Sequence, residues 1–396
     1  MYQFIENGTV TTVQGFLAAG IFCGIKKKKK DLALIYSETP CTAAGTFTIN
    51  KVKAAPLLVS KNIIKNKKTV KAVLVNSGNA NACTGKDGHN DAKISQKYCA
   101  EKLGISPSEV LISSTGVIGK RLPMDTLKAG IEKIVPELSS EGGLNAAEAI
   151  MTTDKKMKSY AVSVKLNGGD VKIGAICKGS GMIMPNMATM LAFITTDLKV
   201  SNDTLQKLLK SSVQNTFNKI SVDGETSTND MVVIMANGLS GIEAEENSEN
   251  YTLFNEALEA LCKEMAKAIV SDGEGATKLV TINVNGAKTQ ADADKIGKAV
   301  ANSALVKTAI YGRDANWGRI MSAAGMSGAN INPSEVSISF NDVPVLLPDY
   351  NIVLDEEAAL KILSQKEFDI NICLQSGHKS STWWTCDFTE EYIKIN

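Results

Sequence analysis

The chain is predicted to adopt an α+β fold, and three features of the sequence indicate it. Short runs rich in Val and Ile, typical of β-strands, occur at residues 71–76, 160–166, 171–177, 230–237, 278–286 and 368–374. Amphipathic helices are predicted in other parts of the chain, at residues 202–217, 252–270 and 292–306. These elements do not follow the regular βαβ order of a doubly wound sheet, so layered α+β packing is favoured.

Local signals define some of these elements more closely. The sequence NGGD at 167–170 separates two strands and predicts a hairpin turn. The first helix is predicted to begin with Asn202 or Asp203 as its N-cap. Its apolar face consists of Leu205, Leu208, Leu209, Val213 and Phe217. The second helix has an equivalent face made of Phe254, Leu258, Leu261, Met265 and Ile269.

Length and composition describe an ordinary globular protein. The 396 residues are enough for two domains or one large two-lobed domain, and no repeat or linker marks a boundary. Lys and Arg number 43 against 42 Asp and Glu, so no overall field attracts nucleic acid or an anionic membrane. The lysine run at 26–30 is predicted to be a solvated loop, because a nucleic-acid patch would have aromatic or Arg neighbours.

Cysteine and histidine usage argues against a metal site. The eight cysteines are far apart, without a C-x-x-C pair, and the histidines number two. This pattern predicts neither a structural zinc site nor a disulfide scaffold. No secretory signal pattern and no apolar run approaching 18 residues is present. We therefore expect a cytoplasmic protein with no metal and no membrane segment.

Familiar catalytic motifs are missing. The glycine spacing in 78–86 and 116–120 does not fit a phosphate-binding loop, and no G-x-G-x-x-G sequence follows a strand. A Ser-His-Asp or Cys-His enzyme would have to use His89 or His378, and both lie in polar stretches that favour structural or surface roles. The G-x-S-x-G elbow is absent as well.

A threonine in the segment KGSGMIMPNMATMLAFITTD, residues 178–197, presents a different chemistry. Thr189 lies between Ala188 and Met190, where a strand-like run begins. A threonine hydroxyl needs an adjacent base, and cleavage of the bond before Thr189 would supply an α-amine of pKa ~7.7–8.0. The small Ala188 leaves the carbonyl accessible to that hydroxyl. A threonine that starts a strand is also an ordinary structural feature, and spacing alone leaves both interpretations open.

Seven sequence blocks together resemble one family. They are LVNSGNANACTG (74–85), SSTGVIGKRLP (113–123), AIMTTD (149–154), the segment 178–197, VDGETSTND (222–230), YGRDANWGRI (311–320) and YIKIN (392–396). In this order they are similar to the bifunctional arginine-biosynthesis proteins, the ornithine acetyltransferase or glutamate N-acetyltransferase family. The resemblance runs essentially end to end. It implies a layered α/β sandwich of two intertwined lobes that resembles N-terminal-nucleophile hydrolases with distinct connectivity.

The resemblance also implies catalytic residues. Self-cleavage between Ala188 and Thr189 would give an α chain of residues 1–188 and a β chain of residues 189–396. The freed Thr189 would be the nucleophile. The STG block would form the oxyanion hole, with the Thr115 hydroxyl and the Gly116 backbone N–H as donors. Glycine tolerates the backbone angles that such a turn requires.

Substrate contacts implied by the family are Thr152, Lys178, Thr189, Glu274 and Asn396. A lysine suits the carboxylate of an amino-acid substrate, and a glutamate can accept hydrogen bonds from an amine. Family members usually continue a few residues past the near-terminal Asn, here Asn396, and end in a threonine that joins the substrate site.

The implied reaction is a ping-pong acetyl transfer. Thr189 would take the acetyl group of N-acetylornithine and release ornithine. The amine of glutamate would then attack the acetyl-threonine ester, and N-acetylglutamate would leave. Water must be kept from the acetyl-threonine ester, or the enzyme becomes a hydrolase. No cofactor is expected; the sequence leaves open whether acetyl-CoA is a co-substrate. An assembly of two α and two β chains, without nucleic acid or membrane partners, is the family expectation.

Two other functions remain as alternatives. The first is a self-processing aminopeptidase-like hydrolase, although that family uses a serine nucleophile. Release of acetate without an acceptor would identify a hydrolase. The second is an amino-acid-binding protein that never cleaves itself, which predicts one intact chain.

Overall fold

The chain folds into two compact units, each with its own β-sheet. The computed structural model describes residues 1–184 and 190–396. The described residues of the first unit are 1–179, 190–218 and 226–265, and those of the second are 180–184, 219–225 and 266–396. Both units contain helices and a mixed sheet, so the fold is α+β, as predicted.

The strands are, in chain order, β1 (Tyr2–Ile5), β2 (Phe16–Ile21), β3 (Leu32–Phe47), β4 (Val70–Asn79), β5 (Val110–Val117), β6 (Lys158–Leu166), β7 (Gly169–Lys178), β8 (Leu191–Thr196), β9 (Ile220–Ser221), β10 (Met231–Ala236), β11 (Leu279–Ala287), β12 (Ser337–Phe340), β13 (Val343–Leu347), β14 (Asn351–Ile352), β15 (Glu367–Cys373) and β16 (Lys379–Cys386). The α-helices are α1 (Ala55–Lys65), α2 (Gly85–Leu103), α3 (Met124–Ile134), α4 (Gly143–Ala149), α5 (Asn202–Asn215), α6 (Glu249–Ser271), α7 (Gln290–Asn302), α8 (Ala304–Gly312), α9 (Trp317–Gly325), α10 (Glu356–Leu363) and α11 (Glu390–Ile395).

The sheet of the first unit has the strand order β1-β6-β7-β8-β10-β3-β4-β5, and β2 also pairs with β3. Two of its pairs are parallel, β4 with β5 and β8 with β10, and the other pairs are antiparallel. The sheet of the second unit has the order β14-β13-β12-β15-β11-β16-β9. Mixed pairing of this kind explains why the sequence lacks a regular βαβ order.

Apolar side chains that point alternately to the two faces of the first unit's sheet form two hydrophobic cores. Ala33, Ile35, Val73 and Val75 belong to one cluster, whereas Leu32, Leu34, Ala72 and Leu74 belong to another. Successive side chains of a strand point to opposite faces of the sheet, so the two clusters occupy its two faces. Helices α2 and α3 contribute to one cluster and α4 to the other. Both faces of the sheet are therefore covered. For this reason these strands have apolar residues at successive positions.

The second unit has one large core cluster. Val280, Ile282 and Val284 of β11 pack with Ile296 and Val300 of α7. A Cβ on Gly297 of α7 would lie 2.2 Å from Trp383 Cδ1, closer than real Cβ contacts allow. Glycine is therefore required where α7 approaches β16.

Most of the predicted elements are confirmed, with shifted boundaries. All six predicted strands are present as β4, β6, β7, β10, β11 and β15, and the NGGD sequence forms the β6–β7 hairpin. The predicted apolar faces of α5 and α6 are fully buried. The prediction missed the long strand β3 and most of the second sheet.

Two helix predictions were wrong in detail. The N-cap of α5 is Ser201, whose hydroxyl accepts from the Thr204 amide, rather than Asn202 or Asp203. The single helix predicted at 292–306 is two helices, α7 and α8, which meet at Ser303. Ser303 has extended ψ and caps α8 through its side chain, because serine competes for backbone hydrogen bonds and favours such caps.

The strand predicted to begin at Thr189 is β8, which begins at Leu191. Met190 precedes it, and Thr189 lies outside the described residues. In the described part of the chain, the structure contains no helix with the length and apolar character needed to cross a bilayer.

Candidate active site

The predicted oxyanion pair lies where the parallel strands β4 and β5 end. Ser77 pairs with Thr115 and Gly78 with Gly116. Gly116 has φ +132°, and a Cβ there would lie 2.4 Å from the Gly78 carbonyl carbon. Position 116 therefore requires glycine for both its backbone angle and the close approach of β4. Thr115 is half-buried and Gly116 is exposed, so this edge of the sheet is accessible.

Asparagine side chains hold the ends of β4 and β5 in place. Ser114 Oγ donates to Asn76 Oδ1 at 2.6 Å, and Asn76 Nδ2 donates to the Asn79 carbonyl oxygen at 2.9 Å. Asn79 Nδ2 in turn donates to the carbonyl oxygens of Lys120 and Arg121 at 3.2 and 3.0 Å. Amide side chains with fixed partners on both sides restrict the backbone around Thr115 and Gly116.

A third asparagine joins this edge to another part of the unit. Asn229 Nδ2 donates to the carbonyl oxygens of Ala80 at 2.6 Å and Ser114 at 2.7 Å. Its Oδ1 accepts the Thr228 hydroxyl, so the carboxamide is fully used. Asn229 belongs to the VDGETSTND block, but the sequence predicted no role for it. Asn229 lies just before a fully apolar strand, where a buried polar side chain needs hydrogen-bond partners. This position could have indicated a structural role for Asn229.

Thr152 and Lys178, two predicted substrate contacts, come together around Asp154. The Thr152 amide donates to Asp154 Oδ2 at 2.9 Å, and the Gly179 amide donates to Oδ1 at 2.7 Å. Lys158 Nζ donates to Oδ1 at 2.8 Å, and Lys178 Nζ lies 3.9 Å from Oδ2. Asp154 therefore fixes the backbone beside both predicted contacts. Sequence reasoning missed Asp154 and Lys158.

The Asp154 carboxylate is charged although it is buried. Burial alone would raise its pKa, but Lys178, Lys158 and the Thr152 amide together hold the pKa well below its ordinary value. The side chains of Asp154 and Lys158 are 0% and 2% exposed, so solvent hardly screens their attraction. Two ammonium groups, those of Lys158 and Lys178, therefore lie close to one buried carboxylate.

The lysine run is solvated only in part. Lys27, Lys28 and Lys29 are exposed, as predicted. Lys26 is half-buried, and its Nζ donates to the carbonyl oxygens of Met151 at 2.6 Å and Lys30 at 2.9 Å. The prediction was wrong for Lys26 because its alkyl stem and its ammonium both find partners in the fold.

Lys26 connects the β4 edge with the Thr152 segment. A Cβ on Gly78 would lie 2.9 Å from Lys26 Cγ, while the ammonium binds the residue before Thr152. Burial lowers the pKa of Lys26 to about 8; nearby Asp31 opposes this effect and Lys178 adds to it. A cleft of about 470 Å³ opens beside these groups, lined by Ile25, Lys26, Lys27, Gly78, Asn79, Val117, Lys120, Arg121 and Pro123.

The second unit brings two other predicted contacts together. Asn396 Nδ2 donates to Glu274 Oε2 at 2.8 Å, from the end of α11. The Glu274 amide donates to the Ser180 carbonyl oxygen at 2.8 Å. A Cβ on Gly181 would lie 2.4 Å from the Glu274 carboxyl carbon, so the KGSG glycine leaves room for that carboxylate.

Asp223 fixes the chain that leads toward the predicted cleavage bond. Its carboxylate accepts the amides of Met182 at 2.6 Å and Ile183 at 2.8 Å. Met182 has φ +58°, an angle that is uncommon for a residue with a side chain. Ala188 and Thr189, the predicted cleavage pair, lie outside the described residues.

The structure thus brings together Thr115 with Gly116, Thr152 with Lys178, and Glu274 with Asn396. The first two pairs belong to the first unit and the third belongs to the second. Within residues 1–184 and 190–396, no cluster of three His, Cys, Asp or Glu side chains could hold a metal ion.

Comparison with known proteins gives one consistent result. The model of the ArgJ family matches residues 17–396. The chain is 46% identical to the arginine biosynthesis bifunctional protein ArgJ of Oceanobacillus iheyensis, over 100% of this chain and 97% of that protein. It is 47% identical to the protein of the same name from Thermotoga neapolitana, over 97% and 98% of the two chains. The crystal structure of the Bacillus halodurans ArgJ protein is 43% identical with a TM-score of 0.45, covering 48% of this chain and 98% of that chain.

Replacing Gly116 by alanine should distort the end of β5. The added Cβ would meet the Gly78 backbone at 2.4 Å, and φ +132° is unfavourable for alanine. The matched control is Gly119→Ala, where φ is +81° but nothing lies within 4 Å of the added Cβ. We expect denaturant unfolding to show a cost of about 1–2 kcal/mol for the control and a clearly larger one for Gly116→Ala. Equal costs would mean that β4 does not constrain position 116.

Replacing Asp154 by asparagine should leave the Lys158 ammonium buried without its carboxylate. We expect a loss of unfolding free energy on the order of 3–5 kcal/mol. Adding Lys158→Met should recover part of that loss, because the buried charge is then gone. Chemical denaturation of both single variants and the double variant measures the coupling. Strict additivity of the two effects would contradict a direct Asp154–Lys158 interaction.

Acidification should weaken the same interaction. Because the pKa of Asp154 is depressed in the folded protein, its contribution is present above the unfolded carboxyl pKa of about 3.9 and is lost as the pH falls below it. Below about pH 4, wild-type stability should fall more steeply than that of Asp154→Asn. The exposed turn residue Asp342 supplies a control, Asp342→Asn, whose acid profile should follow the wild type.

Proposed function

This chain belongs to the ArgJ family, and we propose that it moves the acetyl group of N2-acetyl-L-ornithine to L-glutamate after self-cleavage before Thr189. It is an enzyme of arginine biosynthesis and an acetyltransferase. The observation that supports the residue assignment best is the glycine-specific backbone at Gly116, beside Thr115 at an accessible sheet edge. Acyl transfer needs preorganised donors at such a position.

In the first half-reaction, Thr189 Oγ attacks the acetyl carbonyl carbon. The α-amine of Thr189 takes the hydroxyl proton, and the oxyanion receives hydrogen bonds from the Thr115 hydroxyl and the Gly116 N–H. The tetrahedral intermediate collapses, the C–N bond to ornithine breaks, and the departing nitrogen takes the proton from the α-amine. One preorganised donor of this kind contributes roughly 10²–10³ in rate.

In the second half-reaction, the amine of glutamate attacks the acetyl-threonine ester. The same donors stabilise the second oxyanion, and Thr189 Oγ leaves with a proton returned through the α-amine. N-acetylglutamate is then released. Exclusion of water from the ester decides between transfer and hydrolysis.

The substrates carry both carboxylate and ammonium groups, and the proposed contacts match them. Lys178, beside the charged Asp154, would bind a substrate carboxylate, and Thr152 would donate or accept a hydrogen bond next to it. Glu274, oriented by the hydrogen bond from Asn396, would accept a hydrogen bond from a substrate amine. The presence of two ammonium groups, those of Lys158 and Lys178, beside the Asp154 carboxylate supports an anion at Lys178.

Three further features belong to this proposal. The products of cleavage are an α chain of residues 1–188 and a β chain of residues 189–396, assembled as two of each. Acetyl-CoA is a candidate second acetyl donor, consistent with relatives that are named bifunctional. The enzyme would work in the cytoplasm.

The proposal predicts that the purified wild type consists of two chains. Intact mass measured under denaturing conditions should give fragments ending at Ala188 and starting at Thr189. Thr189→Ala should give one chain, because the hydroxyl is the attacking group. Wild-type protein should transfer acetyl to glutamate and release little acetate without it. A single uncut wild-type chain, or rapid acetate release without glutamate, would overturn the proposal.

Glu274→Gln should weaken substrate binding more than the chemical step. The substitution keeps the acceptor for Asn396 but removes the charge facing a substrate ammonium. We expect KM to rise by about tenfold or more, since a charged hydrogen bond is worth about 1.5–3 kcal/mol. Glu390→Gln, an exposed change at the start of α11, is the matched control. A pure fall in kcat with unchanged KM would argue against this role for Glu274.

A further inference from the structure

Asp230 is a buried carboxyl group that the mechanism above does not use. It is the last residue of the VDGETSTND block, is 3% exposed, and directly precedes β10. Its backbone oxygen accepts the Thr48 amide at 3.0 Å. Its Oδ2 atom is buried and has no hydrogen-bond partner among the described residues. A buried polar atom without a partner is costly, so it points to a function.

The surroundings of Asp230 place it beside the start of the proposed β chain. The Met190 backbone amide donates to the Asp230 carboxyl group. The Met231 amide donates back to the Met190 carbonyl oxygen at 3.1 Å, and Met231 pairs with Leu191. Residues 230–231 therefore hold Met190 through both of its peptide groups. Met190 follows Thr189 directly, so only the Thr189 Cα and carbonyl carbon separate the two backbone nitrogens.

We propose that Asp230 is the proton donor to the departing Thr189 nitrogen during self-cleavage. The proposal rests on self-cleavage at Ala188–Thr189 and adds a residue to it. The neighbouring Asn229 binds the Ala80 and Ser114 carbonyl oxygens, so the same dipeptide also contacts the strand that carries Thr115. One rigid dipeptide would then serve both the oxyanion donors and the proton donor.

The proposed self-cleavage step gains and loses no protons overall. A bond forms between Thr189 Oγ and the Ala188 carbonyl carbon, and the bond from that carbon to the Thr189 nitrogen breaks. Asp230 gives its proton to the departing nitrogen and receives the proton of the Thr189 hydroxyl, so it ends protonated as it began. Water then hydrolyses the resulting ester, which leaves the Ala188 carboxyl group and restores the hydroxyl.

The environment of Asp230 favours the protonated form that this step requires. Burial raises the pKa of Asp230 well above its ordinary value, and hydrogen bonds from Ser227 and Met190 together with the charge of Lys178 only partly oppose it. Lys178, at the end of β7, is a charged side chain that lowers this pKa. General acid–base groups placed in this way contribute about 10²–10⁴ in rate.

Asp197 supplies a matched control. It is 4% exposed, lies one residue beyond the opposite end of β8, and burial raises its pKa as well. Its carboxylate oxygens accept the Lys172 amide at 2.9 Å and Gln14 Nε2 at 3.4 Å. Asp197→Asn therefore removes a comparable buried carboxyl group at the far end of β8, the strand that pairs with β10.

The test follows cleavage of full-length chains made by cell-free synthesis, with denaturing gels and intact mass at timed intervals. Asp230→Asn should cleave about 10²–10⁴ times more slowly than the wild type, whereas Asp197→Asn should stay within a few-fold. Uncut Asp230→Asn should unfold at the same temperature as uncut Thr189→Ala, which separates slow chemistry from misfolding. Wild-type cleavage should also slow as the pH rises and Asp230 ionises, and Asp230→Asn should lack that decline.

Two results would overturn the proposal. One is cleavage of Asp230→Asn at the wild-type rate; the other is equal slowing by Asp230→Asn and Asp197→Asn. If Asp230→Asn fails to fold, a wild-type cleavage rate that does not fall with rising pH is sufficient to reject it. Wild type and Thr189→Ala are measured in the same experiment. Their comparison tests Thr189 as the nucleophile even if the proposed role of Asp230 is rejected.

Discussion

The Asn229 carboxamide donates to the Ala80 carbonyl oxygen at 2.6 Å and to the Ser114 carbonyl oxygen at 2.7 Å. These two acceptors belong to the segments that continue from β4 and that carry Thr115 in β5. Each is a buried backbone group that would cost about 1–3 kcal/mol if left unpaired. The position of Gly116 against Gly78 therefore depends on a side chain that is distant in the sequence. Asp230, the next residue, extends the same constraint to Met190.

Two buried carboxyl groups of the first unit, Asp154 and Asp230, have different electrostatic surroundings. Asp154 stays ionised because two ammonium groups and backbone amides compensate its burial. At Asp230 burial is the largest influence, and hydrogen bonds from Ser227 and Met190 together with the charge of Lys178 oppose it only in part, so its pKa rises. The surroundings of these two carboxyl groups thus shift their pKa values in opposite directions. Such a division between a fixed charge and a proton donor is what acid–base chemistry at neutral pH requires.

Local patterns of the sequence predicted the elements that periodicity defines. The apolar faces of α5 and α6 follow a helical repeat, and the β6–β7 hairpin follows from its glycines, so both were predictable. The break at Ser303 was not, because serine fits both a helix and a cap. The long strand β3 was missed because it carries threonines, glycine and proline among its apolar residues. Its pairing with β2, β4 and β10 overrides these weak local preferences.

The candidate site was predicted through resemblance, not through local physical signals. Thr115 and Gly116 look like an ordinary turn until the register of β4 against β5 is known. Contacts such as Lys26 with Met151 and Asn229 with Ser114 join residues that are far apart in the chain. No pattern in a single sequence encodes such pairs, so Asp154, Asn229 and Asp230 became visible only in the fold.

In the proposed mechanism, Thr189 carries the acetyl group between the two substrates. The most direct measurement is to mix the enzyme with N-acetylornithine in the absence of glutamate, quench it in acid and map the β-chain N-terminal peptide by mass spectrometry. We expect one added acetyl group on the Thr189 side chain, which disappears when glutamate is added before quenching. Acetyl transfer to glutamate without any acetylated Thr189 peptide would contradict the account, because the acetyl group would then pass directly between substrates.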